Sequence, residues 1–361
     1  MRNIFLLGII IVLLSSCNTK SSFSSSGFDK IFDSVFKADE PGGAVLIAKD
    51  GRVIYKKGFG IEDISTKKAI DTKTLFNVGS ITKTFVAFGI LQLAKENKLS
   101  LDDDLYKYFP DFKNTAIAKK IKIHHLLTHT SGLPDIRRVE EDSVFYLTAK
   151  DQENWAPIKQ ADSLEFEPGE KFNYSNPAFN GLALIIEKVS GRKWQEYIQE
   201  KIMNPAGMQT STITDGPHPQ SGVSHGYLYD GKKYVERDYG EEPTFAASGN
   251  GGVWSSVEEL WKYEQAIQKN TFLDSTSIRR SRTIQIYSNW TDSTPAFVGL
   301  CWFIANTSTQ NMIGHTGSQG GFRADYVWLP EKRIFYVILC NTPKRLNEIR
   351  NKVLSVALKD Q

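Results

Sequence analysis

Two strand pairs at opposite ends of the chain constrain its fold more than any other feature. Near the start, GGAVLIAKDGRVIYKKGFG (42–60) places two apolar runs on either side of Asp50-Gly51, a dipeptide that strongly signals a tight hairpin. Near the end, DYVWLP and IFYVILCN flank Glu331-Lys332-Arg333 as a second hairpin, preceded by the strand-like AFVGLCWFIA (296–305). Between these ends the pattern turns helical. ITKTFVAFGILQLAK (81–95) is apolar on most sides, as in a buried helix, and LALIIEKV and SSVEELWKYEQAI supply two more. Ser255 and Glu258 have capping-box spacing before the last of these. Phe28, Ile31, Phe32, Val35 and Phe36 recur at helical spacing, and a charged amphipathic helix is expected from about Arg345 to the end. The fold class expected is α/β (α+β): one antiparallel sheet built from N- and C-terminal segments, flanked by helices, with a mainly helical inserted region. The expected division is a sheet part at 28–75 and 296–361 and a helical part at 76–295, within one domain of 28–361.

Charge excludes one class of partner. With 44 Lys and Arg against 41 Asp and Glu, the net charge of +3 is too balanced for a nucleic-acid footprint. The one basic cluster, Arg279-Arg280-Ser281-Arg282, has no interleaved aromatics and reads as a solvated face. The N-terminus carries Arg2, an apolar run from Ile4 to Leu14, then Ser15-Ser16-Cys17. That run is too short to span a bilayer and fits the core of a signal peptide. The stretch before Cys17 resembles a bacterial lipobox, which implies removal of the leader and lipidation of Cys17. Residues 18–27 then read as a flexible tether. The expectation is a protein exported from the cytoplasm and lipid-anchored to a membrane of the bacterial cell envelope. Cys301 and Cys340 lie in apolar runs and are expected as buried free thiols.

Ser-x-x-Lys occurs four times, at Ser34/Lys37, Ser65/Lys68, Ser80/Lys83 and Ser190/Lys193, so spacing alone selects none. Only Ser80 begins a buried helix. Ser190 precedes Gly191 at an expected helix end, and the other two copies lie in polar surroundings. A lysine three residues on shares the serine's helix face and can take its proton once desolvation makes the ammonium easier to deprotonate. The helix N-terminus adds free N–H groups and a positive dipole end for an oxyanion. Tyr174-Ser175-Asn176 offers a phenol as a second base, although Tyr287-Ser288-Asn289 repeats the tripeptide in a polar loop. Asn176 before Pro177 also has the pattern of a helix N-cap. His315-Thr316-Gly317 places a histidine beside a glycine that would let a ligand's backbone approach a strand edge.

Taken in order, Ser80-x-x-Lys83, Tyr174-Ser175-Asn176 and His315-Thr316-Gly317 resemble the three motifs of the serine penicillin-recognising hydrolases, in particular the class C β-lactamase-like and D-Ala-D-Ala carboxypeptidase group. NKLSLDDDLYKYFPDF, IKIHHLLTHTSGLP, FEPGEKFNYSNPAFNGLALIIEKVSG and SGNGGVWSS resemble that group's habitual phrases, from about residue 41 onward. The resemblance implies acylation of Ser80, with Lys83 and Tyr174 sharing the proton transfers. It implies that Asn176 bonds the substrate's acyl-side amide and that the N–H groups of Ser80 and Ser318 form the oxyanion hole. His315 stands where many relatives carry Lys, so attraction for a substrate carboxylate is expected to be weaker or pH-dependent. Some peptidases of the group share this histidine, which ranks β-lactamase action below peptidase and esterase action.

Competing constellations are weaker. His125 and His129 have zinc-helix spacing, but Leu126 stands where a metalloprotease needs Glu. The resemblance implies that His129-Thr130-Ser131-Gly132-Leu133 is a structural phrase near the cleft, with His129 a hydrogen-bonded packing residue. Asp102-Asp103-Asp104 lacks the alternation of a calcium loop and suits a cap or a turn, and the glycines of SGNGGVWSS suit tight turns. No metal or organic cofactor is implied. The partners expected are a small peptide, ester or β-lactam substrate and a membrane reached through the anchor, with no nucleic acid. The rival reading is a non-catalytic lipoprotein that holds penicillin or cell-wall peptide without turnover.

Overall fold

The computed structural model describes residues 25–137, 144–213, 222–237, 246–306 and 311–359. The leader 1–17, Cys17 and most of the expected tether lie outside these residues. Helix α1 (Ser25–Asp33) begins inside the stretch read as tether, so its last three residues are helical rather than flexible.

The Asp50-Gly51 turn joins β1 (Gly43–Lys49) to β2 (Arg52–Phe59) with both turn residues at positive φ, as a hairpin twisted to match its strands requires. From the far end come β3 (Phe303–Asn306), β4 (Asn311–Gln319), β5 (Phe322–Leu329) and β6 (Ile334–Cys340). All pair antiparallel in the order β3-β4-β5-β6-β1-β2. The two ends of the chain meet at the centre, where β1 and β6 pair from Gly43↔Cys340 to Lys49↔Ile334. Both strands are buried along their whole length because both faces of the sheet are covered. Period-two alternation divides their side chains between two cores. Ala44, Leu46, Phe335, Val337 and Leu339 face the helical region, whereas Val45, Ile47, Tyr336 and Ile338 face α1 and α7 (Leu346–Ala357). Phe32 stacks on Tyr55 and Phe36 on Phe59, so the stripe expected in α1 does pack on β2, although Phe36 lies past the helix end. Burying each such ring contributes about 1.5–3 kcal/mol. Edge strand β2 turns Arg52, Lys56 and Lys57 to solvent, which discourages pairing with a second sheet.

On the other face lie α2 (Thr82–Lys95), α3 (Ile123–Leu127), α4 (Asp151–Ile158), α5 (Asn176–Ser190) and α6 (Val257–Gln268), with shorter helices between. Two small sheets interrupt this region: Phe76–Asn77, Val253–Ser255 and Thr212–Ile213 form one, and the hairpin of Tyr227–Tyr229 and Tyr234–Glu236 the other.

Several local expectations are corrected. The expected strand over 296–305 reduces to β3, because the chain kinks at Cys301, which has φ of 78° and donates its N–H to the Leu127 carbonyl. The cap of α6 is Ser256, whose hydroxyl accepts from the Glu259 N–H, because Ser255 is the last residue of a strand. Likewise Ser175, not Asn176, caps α5, accepting from the Ala178 N–H. Arg282 leaves the expected solvated cluster: its side chain is only 8% exposed, pairs through both terminal nitrogens with Glu264 at 2.9 and 2.7 Å, and lies over Trp302. Gly191 does end α5 in the left-handed conformation, and Asp104 does cap a short helix through the Lys107 N–H. Cys301 and Cys340 are buried free thiols.

Candidate active site

A single 3-10 turn, Gly79–Ile81, leads into α2 and places Ser80 at its N-terminus. The residues around it are pressed against β4 at two glycines. A Cβ at Gly317 would lie 2.0 Å from the Val78 carbonyl oxygen, and one at Gly79, where φ is 52°, would lie 2.6 Å from the Ser318 nitrogen. Only glycine allows this approach, which brings the backbones of Ser80 and Ser318 together.

One cleft of about 950 Å³ is lined by Ser80, Tyr174, Asn176, His315, Thr316, Gly317 and Ser318. Lys83 lies beneath it, fully buried, with Nζ 2.8 Å from Ser80 Oγ and 2.7 Å from the carbonyl oxygen of Asn250, to which it donates. Burial pushes the Lys83 ammonium down to about 7, and the nearby charge of Arg137 adds to the shift. Arg137 itself is buried and held by Asp135 and Asn154. Near neutrality Lys83 is therefore divided between ammonium and free amine, and the amine's lone pair can accept the Ser80 proton.

Tyr174 extends from the residue just before the cap of α5, with its ring centroid 5.2 Å from Lys83 Nζ. It stacks on His129 at 4.3 Å between ring centroids. His129 accepts the Ser175 N–H at Nδ1, 3.0 Å away, and burial keeps its imidazole neutral, well below the usual histidine range. This is the packing role expected of it: it fixes both Tyr174 and the start of α5. Asn176 turns into the cleft with a buried Oδ1 that has no partner among the described residues. Tyr287, from the rival tripeptide, instead stacks on His124 and bonds Thr128.

His315 corrects an expectation. Burial, reinforced by Lys83, drives its imidazole down to about 3, and Nδ1–H donates to the Thr316 carbonyl at 2.7 Å. The ring is neutral throughout the physiological range, so it supplies no pH-dependent charge near neutrality. Its buried Nε2 has no partner among the described residues. Among these three motifs Lys83 is thus the one cation beside Tyr174.

Asn250, Asp151, Arg137, Arg323 and Lys344 were not legible as site residues. Asn250 acts through its backbone carbonyl, which no side-chain pattern announces. Its loop is tied down by Ser248 Oγ, which donates to Asn250 Oδ1 at 2.6 Å, and by Asp151, whose Oδ1 accepts the Gly249 N–H at 2.8 Å. Among the described residues no group of His, Cys, Asp and Glu could hold a metal ion. His125 and His129 each spend Nδ1 on a backbone N–H, of Lys122 and Ser175 respectively.

The sequence profile of the Beta-lactamase family matches residues 28–359. Penicillin-binding protein 4* of Bacillus subtilis is 28% identical over 86% of this chain and 70% of its own length. Protein flp of Staphylococcus aureus is 26% identical over 88% of this chain and 64% of its own. Among solved structures, the octameric penicillin-binding protein homologue from Pyrococcus abyssi superposes with a TM-score of 0.79 at 29% identity, over 94% of this chain and 76% of that one. The D-amino acid amidase of Ochrobactrum anthropi shares the fold at 20% identity and a TM-score of 0.77, over 93% and 98%. With a fold and a family profile that agree over nearly the whole domain, the chain belongs to the Beta-lactamase family of serine hydrolases.

Proposed function

We propose that this chain is an exported, lipid-anchored hydrolase that cleaves a small peptide, amide or ester through an acyl-enzyme on Ser80. The observation that carries the reading is a wholly buried Lys83 with Nζ 2.8 Å from Ser80 Oγ at the floor of the cleft. As Oγ bonds the substrate carbonyl carbon, the free amine of Lys83 takes the hydroxyl proton. The N–H groups of Ser80 and Ser318 receive the oxyanion. Tyr174 passes its phenolic proton to the leaving nitrogen or oxygen as that atom's bond to carbon breaks and regains a proton from the Lys83 ammonium, and water then releases the acyl group by the same transfers. The unpartnered Oδ1 of Asn176 suits an N–H on the acyl side of the substrate. Thr316 and Gly317 form the strand edge along which the substrate lies.

A D-Ala-D-Ala carboxypeptidase-like activity heads the substrate ranking, followed by related peptide or D-amino-acid hydrolysis, ester hydrolysis and β-lactam hydrolysis. A neutral His315 where many relatives carry Lys supports ranking β-lactam hydrolysis last. The export reading rests on the leader and on Cys17; among the described residues no helix is long and apolar enough to cross a membrane. Incorporation of a fatty-acid analogue that disappears in Cys17→Ala tests the anchor.

Intact-mass spectrometry of protein lacking residues 1–17, treated with a fluorophosphonate and with a penicillin, tests the chemistry. A single adduct that is absent in Ser80→Ala is expected, and an adduct that decays distinguishes a hydrolase from a binder that traps its ligand. A folded protein that reacts with neither reagent would overturn the reading.

A further inference from the structure

The start of α1 shows which part of the domain lies nearest to Cys17. Phe28 packs on Tyr55 with ring centroids 5.2 Å apart, and Phe36 packs on Phe59 at 5.2 Å, so the chain runs along β2 from its Arg52 end to its Phe59 end. Ser25 therefore sits at the Arg52 end. Gly27 lies against the last turn of α7, where an added Cβ would be 3.2 Å from Val356 Cγ1. Lys49 Nζ donates to the Ala357 carbonyl at 3.2 Å, and Arg333 pairs with Asp50 at 3.0 Å. The start of α1, the Asp50-Gly51 turn, the 330–333 turn and the end of α7 thus form one surface. It presents the exposed cations Arg52, Arg333 and Lys359, with Lys332 and Trp328 partly exposed beside them and Val53 41% exposed. Of the acidic residues there, Asp50 is paired with Arg333 and Glu331 accepts from the Asn311 N–H and Nδ2 at 3.0 and 2.6 Å.

We infer that this surface rests on the lipid bilayer and holds the Ser80 cleft away from it, so that substrate enters from water rather than from lipid. The inference rests on the reading above that Cys17 is lipidated, and adds an orientation to it. Ser25 is eight residues after Cys17. A fully extended chain of that length spans at most about 29 Å, short against the roughly 50 Å breadth of a domain of this size. The end of the domain that carries Ser25 is thus the end that reaches the headgroups. Its cations suit a negatively charged headgroup surface, and Trp328 and Val53 suit the apolar boundary beneath it. One end row of the sheet is Leu329, Ile334, Lys49 and Arg52, whereas the opposite row is Ser318, Arg323, Cys340, Gly43 and Phe59. Six residues of β5 separate the rows, from Arg323 to Leu329, a distance of about 20 Å at the rise of a strand. The cleft belongs to the Ser318 row and stands that much farther from the lipid.

The test uses the full lipidated chain in vesicles of phosphatidylglycerol and phosphatidylethanolamine that contain a lipid with a nitroxide on its headgroup. A fluorophore is attached at Arg52→Cys and Lys359→Cys, on the surface, and at Lys37→Cys, which is exposed beside Phe36 toward the cleft end. Cys301 and Cys340 are fully buried and Cys17 carries the lipid, so the wild-type chain takes no label and serves as the blank. The nitroxide is expected to remove most of the fluorescence at the two surface positions and to leave Lys37→Cys bright. If one surface variant fails to fold, the other carries the comparison. A Gly-Ser insert after Lys20 separates a docked surface from one that is only tied nearby, and the contrast is expected to persist in the longer chain. Equal quenching at all three positions, strongest quenching at Lys37→Cys, or a contrast lost on insertion would overturn the inference, while incorporation of a fatty-acid analogue at Cys17 leaves the anchor reading intact. Absence of that incorporation would overturn both.

Discussion

In the proposed mechanism Lys83 is the base, and its burial makes a kinetic prediction. Its ammonium is lowered to about 7 first by desolvation and then by Arg137. As a base it works only in the deprotonated form, so acylation is expected to rise as pH climbs through about 7 and to level off above it. A pH profile of kcat/KM on an uncharged ester checks this, and a profile that is flat from pH 6 to 8 would exclude Lys83 as the titrating base. Arg137→Gln removes a repelling charge and is expected to move the acid limb to higher pH. Lys83→Arg cannot supply a free amine at all, and the loss expected is roughly 10²- to 10⁴-fold, the usual contribution of a general base.

At the scale of elements, the site exists because β4 and the turn before α2 touch at glycines. Gly317→Ala would place a methyl 2.0 Å from the Val78 carbonyl oxygen, which is backbone and cannot swing aside. The strand must move away from Ser80, taking the Ser318 N–H with it. Loss of one oxyanion donor typically costs about 10²- to 10³-fold in kcat, and a loss of that size with a lowered melting temperature is expected. Unchanged acylation in Gly317→Ala would mean that the oxyanion is held elsewhere. The serine, lysine, tyrosine and asparagine were visible in the sequence because their types and their places at helix starts announce a chemistry. The terminal strand pairs were visible because Asp50-Gly51 and the apolar alternation are local signals. What escaped depends on long-range contact. The cap falls one residue from where it was read at both α5 and α6, since neighbouring backbone decides which serine is free to turn. The kink at Cys301 follows from its N–H reaching Leu127, far away in sequence. The neutrality of His315 follows from burial that no motif records.

At the scale of the whole molecule, the sheet joins the chain's two ends while buried polar groups lock the helical region to the cleft. Asp151 is such a lock: it is buried on α4, and its Oδ1 accepts from Asn180 on α5 at 2.7 Å and from Gly249 at 2.8 Å. Gly249 precedes Asn250, whose carbonyl accepts from Lys83, so α4, α5 and the loop that holds Lys83 meet at one carboxyl. Burial raises that carboxyl from its ordinary value near 3.8 to about 7, with the two donors opposing the shift. The folded state therefore holds a proton that the unfolded chain has released across the window from about 4 to about 7. Stability from this group is present below that window and declines as pH rises through it. Asp151→Asn keeps an oxygen acceptor for both donors and removes the titration. Chemical denaturation of wild type and variant between pH 4 and 8 should show wild type losing ground to the variant as pH rises to about 7, then a constant difference. A difference that does not vary with pH would mean that Asp151 stays ionised in the fold, held by its two donors against the cost of burial.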